Sequence, residues 1–249
     1  MAVWREFFPK NSGSLARNKS AVFNIYYLIF ILSVLTSPKF DDKIMTMKLL
    51  LHTCCAPCSM GCVPALLIEA ITPDLFWYNP NIHPYDEYLR RYNSLKRFAE
   101  EEDLEMLSEN EDLPSSTETL PNGAESGNEA NQVIARDSFQ DIFVKNTSGL
   151  IKEERCRYCY KTRLEKTALT ARGKNYDAFS TTLLISPYQN HEEILSIGEE
   201  AASIYGVEFL YRDFRPNFRE AQRQARASSY YMQKYCGCVF SKEEVGGRS

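Results

Sequence analysis

Lys48-Leu49-Leu50-Leu51-His52-Thr53-Cys54-Cys55-Ala56-Pro57-Cys58-Ser59 decides the fold. An apolar run of strand length, unbroken by polar alternation, reads as a strand buried on both faces. It runs straight into a loop of cysteines. Pro64 then sits where a helix would begin, with Ala65–Ala70 following. Strand, reactive loop and helix in that order open a βα unit. In parallel sheets, ligands collect at the carboxyl ends of strands, which is where this loop would lie.

The pattern continues outward. Asp74–Tyr78 (DLFWY) is a second buried strand, stopped by Asn79-Pro80. From Pro84 to about Glu102, Leu89, Tyr92, Leu95 and Phe98 recur at helical steps and predict a helix with Arg90, Arg91, Lys96 and Arg97 mostly outward. Leu104–Leu107 is a third strand. Phe139–Val144 is a short helix, and Arg157–Ala171 a helix after Cys156. Asp177–Leu184 is a strand ended by Ser186-Pro187. His191–Tyr205 is a helix closed by Gly206, Val207–Tyr211 the last strand, and Asn217–Ala227 a basic helix with Arg219, Arg223 and Arg226. Five strands separated by helices predict an α/β fold. It is a single domain with a mostly parallel sheet flanked by helices.

The chain has 249 residues at ordinary globular composition, which excludes a disordered chain, a collagen-like chain and a coiled-coil rod. Its net charge of −4 hides an asymmetry. Between Ala99 and Gln132 lie eleven carboxylates and no Lys or Arg. The rest carries 29 basic against 22 acidic residues and can attract a polyanion. Ser108 to about Gln132 reads as a low-complexity acidic insertion. Ala21–Leu35 is apolar but shorter than the roughly 20 residues that span a bilayer. A domain starting at Met47 is complete without it. The expected organisation is a non-essential extension over 1–46, a catalytic unit over 47–241 and a tail over 242–249.

Eight cysteines fall in three tight clusters: Cys54, Cys55, Cys58 and Cys62; Cys156 and Cys159; Cys236 and Cys238. Clusters such as C-x-x-C read as metal or redox sites of a reducing compartment, not as a secreted disulfide framework. The vicinal Cys54-Cys55 pair reaches one centre only if its loop is bent. Together with Cys156-x-x-Cys159 it offers the four thiolates of an iron–sulfur cluster. Cys236-Gly237-Cys238 is left for electron transfer, or pairs with the C-x-x-C in a zinc knot. Cys58 reads either as a further ligand or as a buried thiol, and Cys62 as a buried thiol.

Outside the cysteines, His83 reads as a substrate contact or a packing histidine. Thr181, Thr182 and Ser186 read as ligand contacts or turn residues. Asp213 is a proton-transfer candidate set against a surface pair with Arg215. Tyr230, Tyr231, Lys234 and Tyr235 suit stacking of an extruded base, or simple burial.

The opening signature Leu49–Ser59 resembles that of the epoxyqueuosine reductase QueH family. So do Tyr78–Pro84 (YNPNIHP), Arg155–Cys159 (RCRYC), Phe179–Pro187 (FSTTLLISP) and Gln233–Cys238 (QKYCGC), in the same order. The resemblance runs from about Met47 to Ser241 and implies a sheet similar to that of nucleotide-binding α/β enzymes. It implies a cobalamin-independent oxidoreductase that reduces epoxyqueuosine to queuosine at the wobble position of tRNA. It implies Cys54, Cys55, Cys156 and Cys159 as ligands of a [4Fe-4S] cluster. Cys236 and Cys238 become a redox-active pair or, in a rival assignment, ligands of an additional iron. The partners so implied are epoxyqueuosine-containing tRNA and an unidentified electron donor. A cytoplasmic location without stable membrane association is expected. The alternatives are a zinc-stabilised nucleic-acid-binding module and a thiol oxidoreductase tethered through Ala21–Leu35.

Overall fold

The computed structural model describes residues 47–108 and 140–246, the last four of these by backbone alone. The apolar segment 21–35 and nearly all of the acidic stretch lie outside the described residues. Five strands form one parallel sheet: β1 (Leu49–Thr53), β2 (Pro73–Trp77), β3 (Met106–Ser108), β4 (Ala178–Thr181) and β5 (Glu208–Phe209), in the order β3-β2-β1-β4-β5. All five residues of β1 are buried, as a central strand covered on both faces requires. The strand order reverses at β1, so the carboxyl ends of β1 and β4 flank the switch point. There His52 stands opposite Thr181.

Helix α1 (Ala56–Ile68) starts eight residues before Pro64, a correction to the sequence reading. Extended Cys55 (φ −178°) precedes it and Pro57 occupies its first turn, where a missing N–H costs nothing. Pro64 is carried inside the helix, whose neighbouring residues Cys62, Val63 and Leu66 are buried. A Cβ on Gly61 would lie 2.2 Å from Ile185 Cδ1 and 2.9 Å from Ala221 Cβ, so α1 is packed hard against its neighbours.

Helix α2 spans Tyr85–Glu101 and α3 spans Lys152–Gly173; a further helical stretch covers 140–147. Helix α3 begins one turn before Cys156, earlier than expected, because the Glu154 carboxylate accepts from Ile151 N at 3.2 Å and closes its first turn. β4 ends at Thr181, short of the expected Leu184. The Thr181 hydroxyl accepts from Leu183 N (3.2 Å) and winds Thr182–Ile185 into a 3₁₀ turn. Helix α4 (His191–Tyr205) matches its expectation, with Gly206 as a left-handed cap (φ +65°). Helices α5 (Phe218–Ala227) and α6 (Val239–Gly246) complete the order. Helix α6 has no counterpart in the sequence reading.

Candidate metal centre

The centre starts from the end of β1. Between Thr53 and Ala56 the chain turns from strand to helix, and this bend brings the vicinal thiols together. Cys54 Sγ lies 3.9 Å from Cys55 Sγ. Cys58, in the first turn of α1, joins them. The three buried sulfur atoms lie within 4.8 Å of one another. The α1 N-terminus favours negative charge here. Hydrogen bonds from the Cys55 and Cys58 thiols hold Cys54 well below the ordinary thiol range, against the effect of burial. Burial first, then the hydrogen bond with Cys54, pushes Cys55 up; hydrogen bonds with Cys54 and Cys55, then burial, raise Cys58. Ionisation of the trio therefore begins at Cys54.

His52 and Thr182 support this loop. His52 is fully buried and its pKa is lowered to about 3, chiefly by burial, so the ring is neutral. Nε2 faces Tyr78 O at 3.2 Å, an acceptor, so it carries the proton. Nδ1 therefore accepts from Thr181 Oγ1 at 2.9 Å. Thr182 Oγ1 accepts from Cys54 N (3.4 Å) and lies 3.7 Å from its sulfur. Thr181 and Thr182 thus support the thiol loop from β4.

The C-x-x-C pair lies on α3, where the three-residue spacing puts both side chains on one face. Arg163 follows one turn later. It is 4% exposed, and its guanidinium donates to Cys159 Sγ (3.0 Å) and Cys159 O (3.1 Å). Burial opposes its charge, while Cys159, Cys54 and Cys236 all act to hold it. Arg163 thus links all three cysteine clusters electrostatically. Among the described residues no carboxylate pairs with it.

Burial pushes the Cys159 thiol up to about 12 and also raises Cys156 and Cys238. The two demands conflict, since burial favours neutral thiols and a buried cation requires an anion. Thiolates held ionised by a bound metal group resolve the conflict, because such a set keeps net negative charge beside Arg163. The donor set therefore fits a soft metal or an iron–sulfur cluster.

The third cluster is half exposed. Cys236 is exposed with its sulfur 3.0 Å from Ser241 Oγ, and Cys238 is half-buried. Gln233 Nε2 approaches Cys58 Sγ at 4.0 Å, so this segment borders the first thiol group. Cys62 is fully buried as read.

The remaining candidates divide. Asp213 is exposed and forms an ion pair with Arg215 at 2.7 Å, whose hydrogen bonds hold the carboxyl below the usual range. This is the Arg215 pair that the sequence set against a proton-transfer part. His83 Nδ1 lies 3.0 Å from Asn81 O within its own loop and, facing a carbonyl, is the donor. The tyrosine hydroxyls are used internally: Tyr230 donates to Glu101, Tyr231 to Glu87 and Tyr235 to His83 O. Arg91, expected outward, is 1% exposed and paired with Glu87 at 2.7 Å. Sequence reasoning missed Arg91 and Arg163. The position of Arg163 four residues after Cys159, on the same helix face, was the available signal.

A parallel sheet with three buried thiols grouped at its switch point defines an α/β protein with a thiol group that could hold a metal. The sequence model of the family described as epoxyqueuosine reductase QueH matches residues 49–132 and 123–244. The epoxyqueuosine reductase QueH of Dehalococcoides mccartyi is 33% identical over 204 residues, covering 82% of this chain and 97% of the relative. That of Acinetobacter baylyi is 36% identical over 208 residues (80% and 82%), and that of Thermotoga maritima 31% over 194 (77% and 88%). The chain belongs to the epoxyqueuosine reductase QueH family. Among the described residues, no helix is long and apolar enough to cross a membrane.

Proposed function

We propose that this chain reduces epoxyqueuosine to queuosine at the wobble position of tRNA, with the activity in residues 47–241. The buried group of Cys54, Cys55 and Cys58, with Cys159 bonded to the buried Arg163, in a chain of this family, carries the reading. Cys54, Cys55, Cys156 and Cys159 hold a [4Fe-4S] cluster, with Cys58 beside them. When bound, that group supplies single electrons and Lewis-acid assistance to a departing oxygen.

The chain's own residues account for the balance. Removing the epoxide oxygen breaks two C–O bonds and leaves an alkene. It takes two electrons and two protons, and the oxygen departs as water. Oxidation of the Cys236 and Cys238 thiols to a disulfide releases two electrons and two protons. An external electron donor then restores the thiols. In the rival arrangement these two cysteines hold an additional iron. Arg219, Arg223 and Arg226 on α5 contact tRNA phosphates. A reducing, cytoplasmic setting without stable membrane association suits such free thiols.

Anaerobic purification with iron, zinc and sulfide analysis, followed by an assay on epoxyqueuosine-containing tRNA, tests this. About four irons and four sulfides per chain with conversion to queuosine are expected. More iron assigns the extra metal to Cys236 and Cys238. Zinc without sulfide, and no conversion, overturns the reading in favour of a zinc-stabilised nucleic-acid-binding module.

A further inference from the structure

The C-G-C turn has little secondary structure of its own, yet it is fastened from below at several points. The Arg91 guanidinium donates to Cys236 O (3.1 Å) and Tyr235 O (2.9 Å). His83 N donates to Gly237 O at 2.8 Å, and the Tyr235 hydroxyl donates back to His83 O. Glu87 fixes Arg91 through Nε (2.7 Å) and itself accepts from the Tyr231 hydroxyl. The Arg91 guanidinium also lies over the Tyr235 ring, 5.5 Å from its centroid. Gly237 closes the seat. Its φ is +112°, and a Cβ there would lie 2.9 Å from Ile82 Cγ1 and 3.2 Å from an Arg91 terminal nitrogen.

Three features separate this from ordinary packing. A buried arginine is costly to desolvate, and one carboxylate would have sufficed to pair it. Here the remaining donors go to consecutive carbonyls of the turn, which uses the planar fork that lysine lacks. The same cation also acts on Cys55 and Cys54 through space. Arg91 therefore stands between the first thiol group and the third. Glu87, its only paired carboxylate among the described residues, is on its own helix, and the facing segment contributes Tyr231, Tyr235 and Cys236.

We propose that Arg91 is the positioning residue of the Cys236-Gly237-Cys238 turn, fixing the place of its two thiols through the backbone carbonyls of Tyr235 and Cys236. Its bonds to the turn go to backbone oxygens and not to a sulfur. This rests on the function proposed above only for its kinetic consequence.

The test compares wild type, Arg91→Lys and Gly237→Ala, purified anaerobically, in two measurements. The first is the alkylation rate of each cysteine by iodoacetamide, read by mass spectrometry. The second is kcat and KM on epoxyqueuosine-containing tRNA. Arg91→Lys keeps the charge and loses the fork. Gly237→Ala keeps Arg91 and disturbs the same seat from the other side, so it carries the test if the lysine variant fails to fold. In both variants we expect Cys238 to alkylate about tenfold faster while Cys62 stays protected. In both, kcat should fall about 10–100-fold, the range seen when an outer support of a site is removed, with KM for tRNA little changed. Unchanged Cys238 alkylation and unchanged kcat in a folded variant overturn the proposal. A general rise in the alkylation of every cysteine, Cys62 included, also overturns it, because that marks a merely structural role. If wild type itself leaves epoxyqueuosine unreduced, the functional reading fails, and the alkylation result still decides the part played by Arg91.

Discussion

Arg163 donates to the thiol of Cys159 at 3.0 Å from within the protein interior, without a carboxylate partner among the described residues. A guanidinium in that position is stable only beside negative charge, which thiolates of a loaded centre provide. Arg163→Met should lower metal affinity about 10–100-fold, with Arg163→Lys intermediate. It should also move the midpoint potential of the bound group downward, since a nearby positive charge favours the reduced form. Metal analysis after dialysis and a redox titration check this. Unchanged retention and potential would show that Arg163 serves packing alone.

Cys58 and Cys62 sit one helical turn apart and should behave oppositely. Cys58 belongs to the three-sulfur group, whereas Cys62 is buried without taking part in it. Cys58→Ser should reduce the metal bound per chain. Cys62→Ser should leave it unchanged while lowering stability by about 1–3 kcal/mol, the cost of a buried hydroxyl lacking a partner. Metal content and thermal unfolding of the two variants, measured side by side, separate the roles.

Gly198 on α4 faces β5 without clearance. An added Cβ would stand 2.3 Å from two ring atoms of Phe209. Gly198→Ala should cost about 1–3 kcal/mol and lower Tm by roughly 2–12 °C for a domain of this size. Specific activity of the folded fraction should be kept. A Tm equal to wild type would mean that the Phe209 ring moves aside freely.

Glu101 accepts hydrogen bonds from Tyr230 and Arg97, and these hold its carboxyl below the usual range. A group depressed in the folded state contributes stability above its unfolded pKa. That contribution is lost as pH falls through the folded value, which lies below the ordinary glutamate range. Glu101→Gln should therefore be less stable than wild type at pH 6, and the gap should close in acid. Urea titrations at about pH 6 and about pH 3 measure it. Because the pair is solvent-exposed, the gap is small.

Arg219, Arg223 and Arg226 stand exposed on α5. Arg223 pairs with Glu220, and Arg226 bonds Gln222 at 3.0 Å, so only part of their donor capacity is used within the helix. Reversing all three charges should weaken tRNA binding and flatten its salt dependence, by roughly 0.7 in log–log slope for each single-strand phosphate that is no longer neutralised. Filter binding across a salt series reads both quantities. Equal affinity in the variant would remove α5 from the tRNA interface.

The strands were legible because Leu49-Leu50-Leu51 and Leu75-Phe76-Trp77 are apolar runs that only a two-sided burial explains, and α4 because its period and its Gly206 stop agree. The start of α1 was not, since Pro57 and Pro64 are both acceptable first-turn residues and only the bend at Cys55 chooses between them. The cysteines announced a centre, but their grouping in space depends on strand order, which a chain read linearly does not contain. Arg91 was misplaced for a related reason. Its helix position alone marks it as an ordinary surface charge, and the carbonyls of Tyr235 and Cys236 that draw it inward lie some 145 residues away.

The cysteines of the proposed centre come from the start, the middle and the far end of the folded unit. During synthesis, the trio at the end of β1 emerges first and waits through most of translation. The C-x-x-C on α3 follows, and Cys238 arrives last. A nascent chain therefore passes through a stage in which three crowded thiols are exposed to any metal or oxidant before their buried arginine partner exists. Correct loading is consequently an event of the finished chain, and the early thiols depend on a reducing environment to remain available for it.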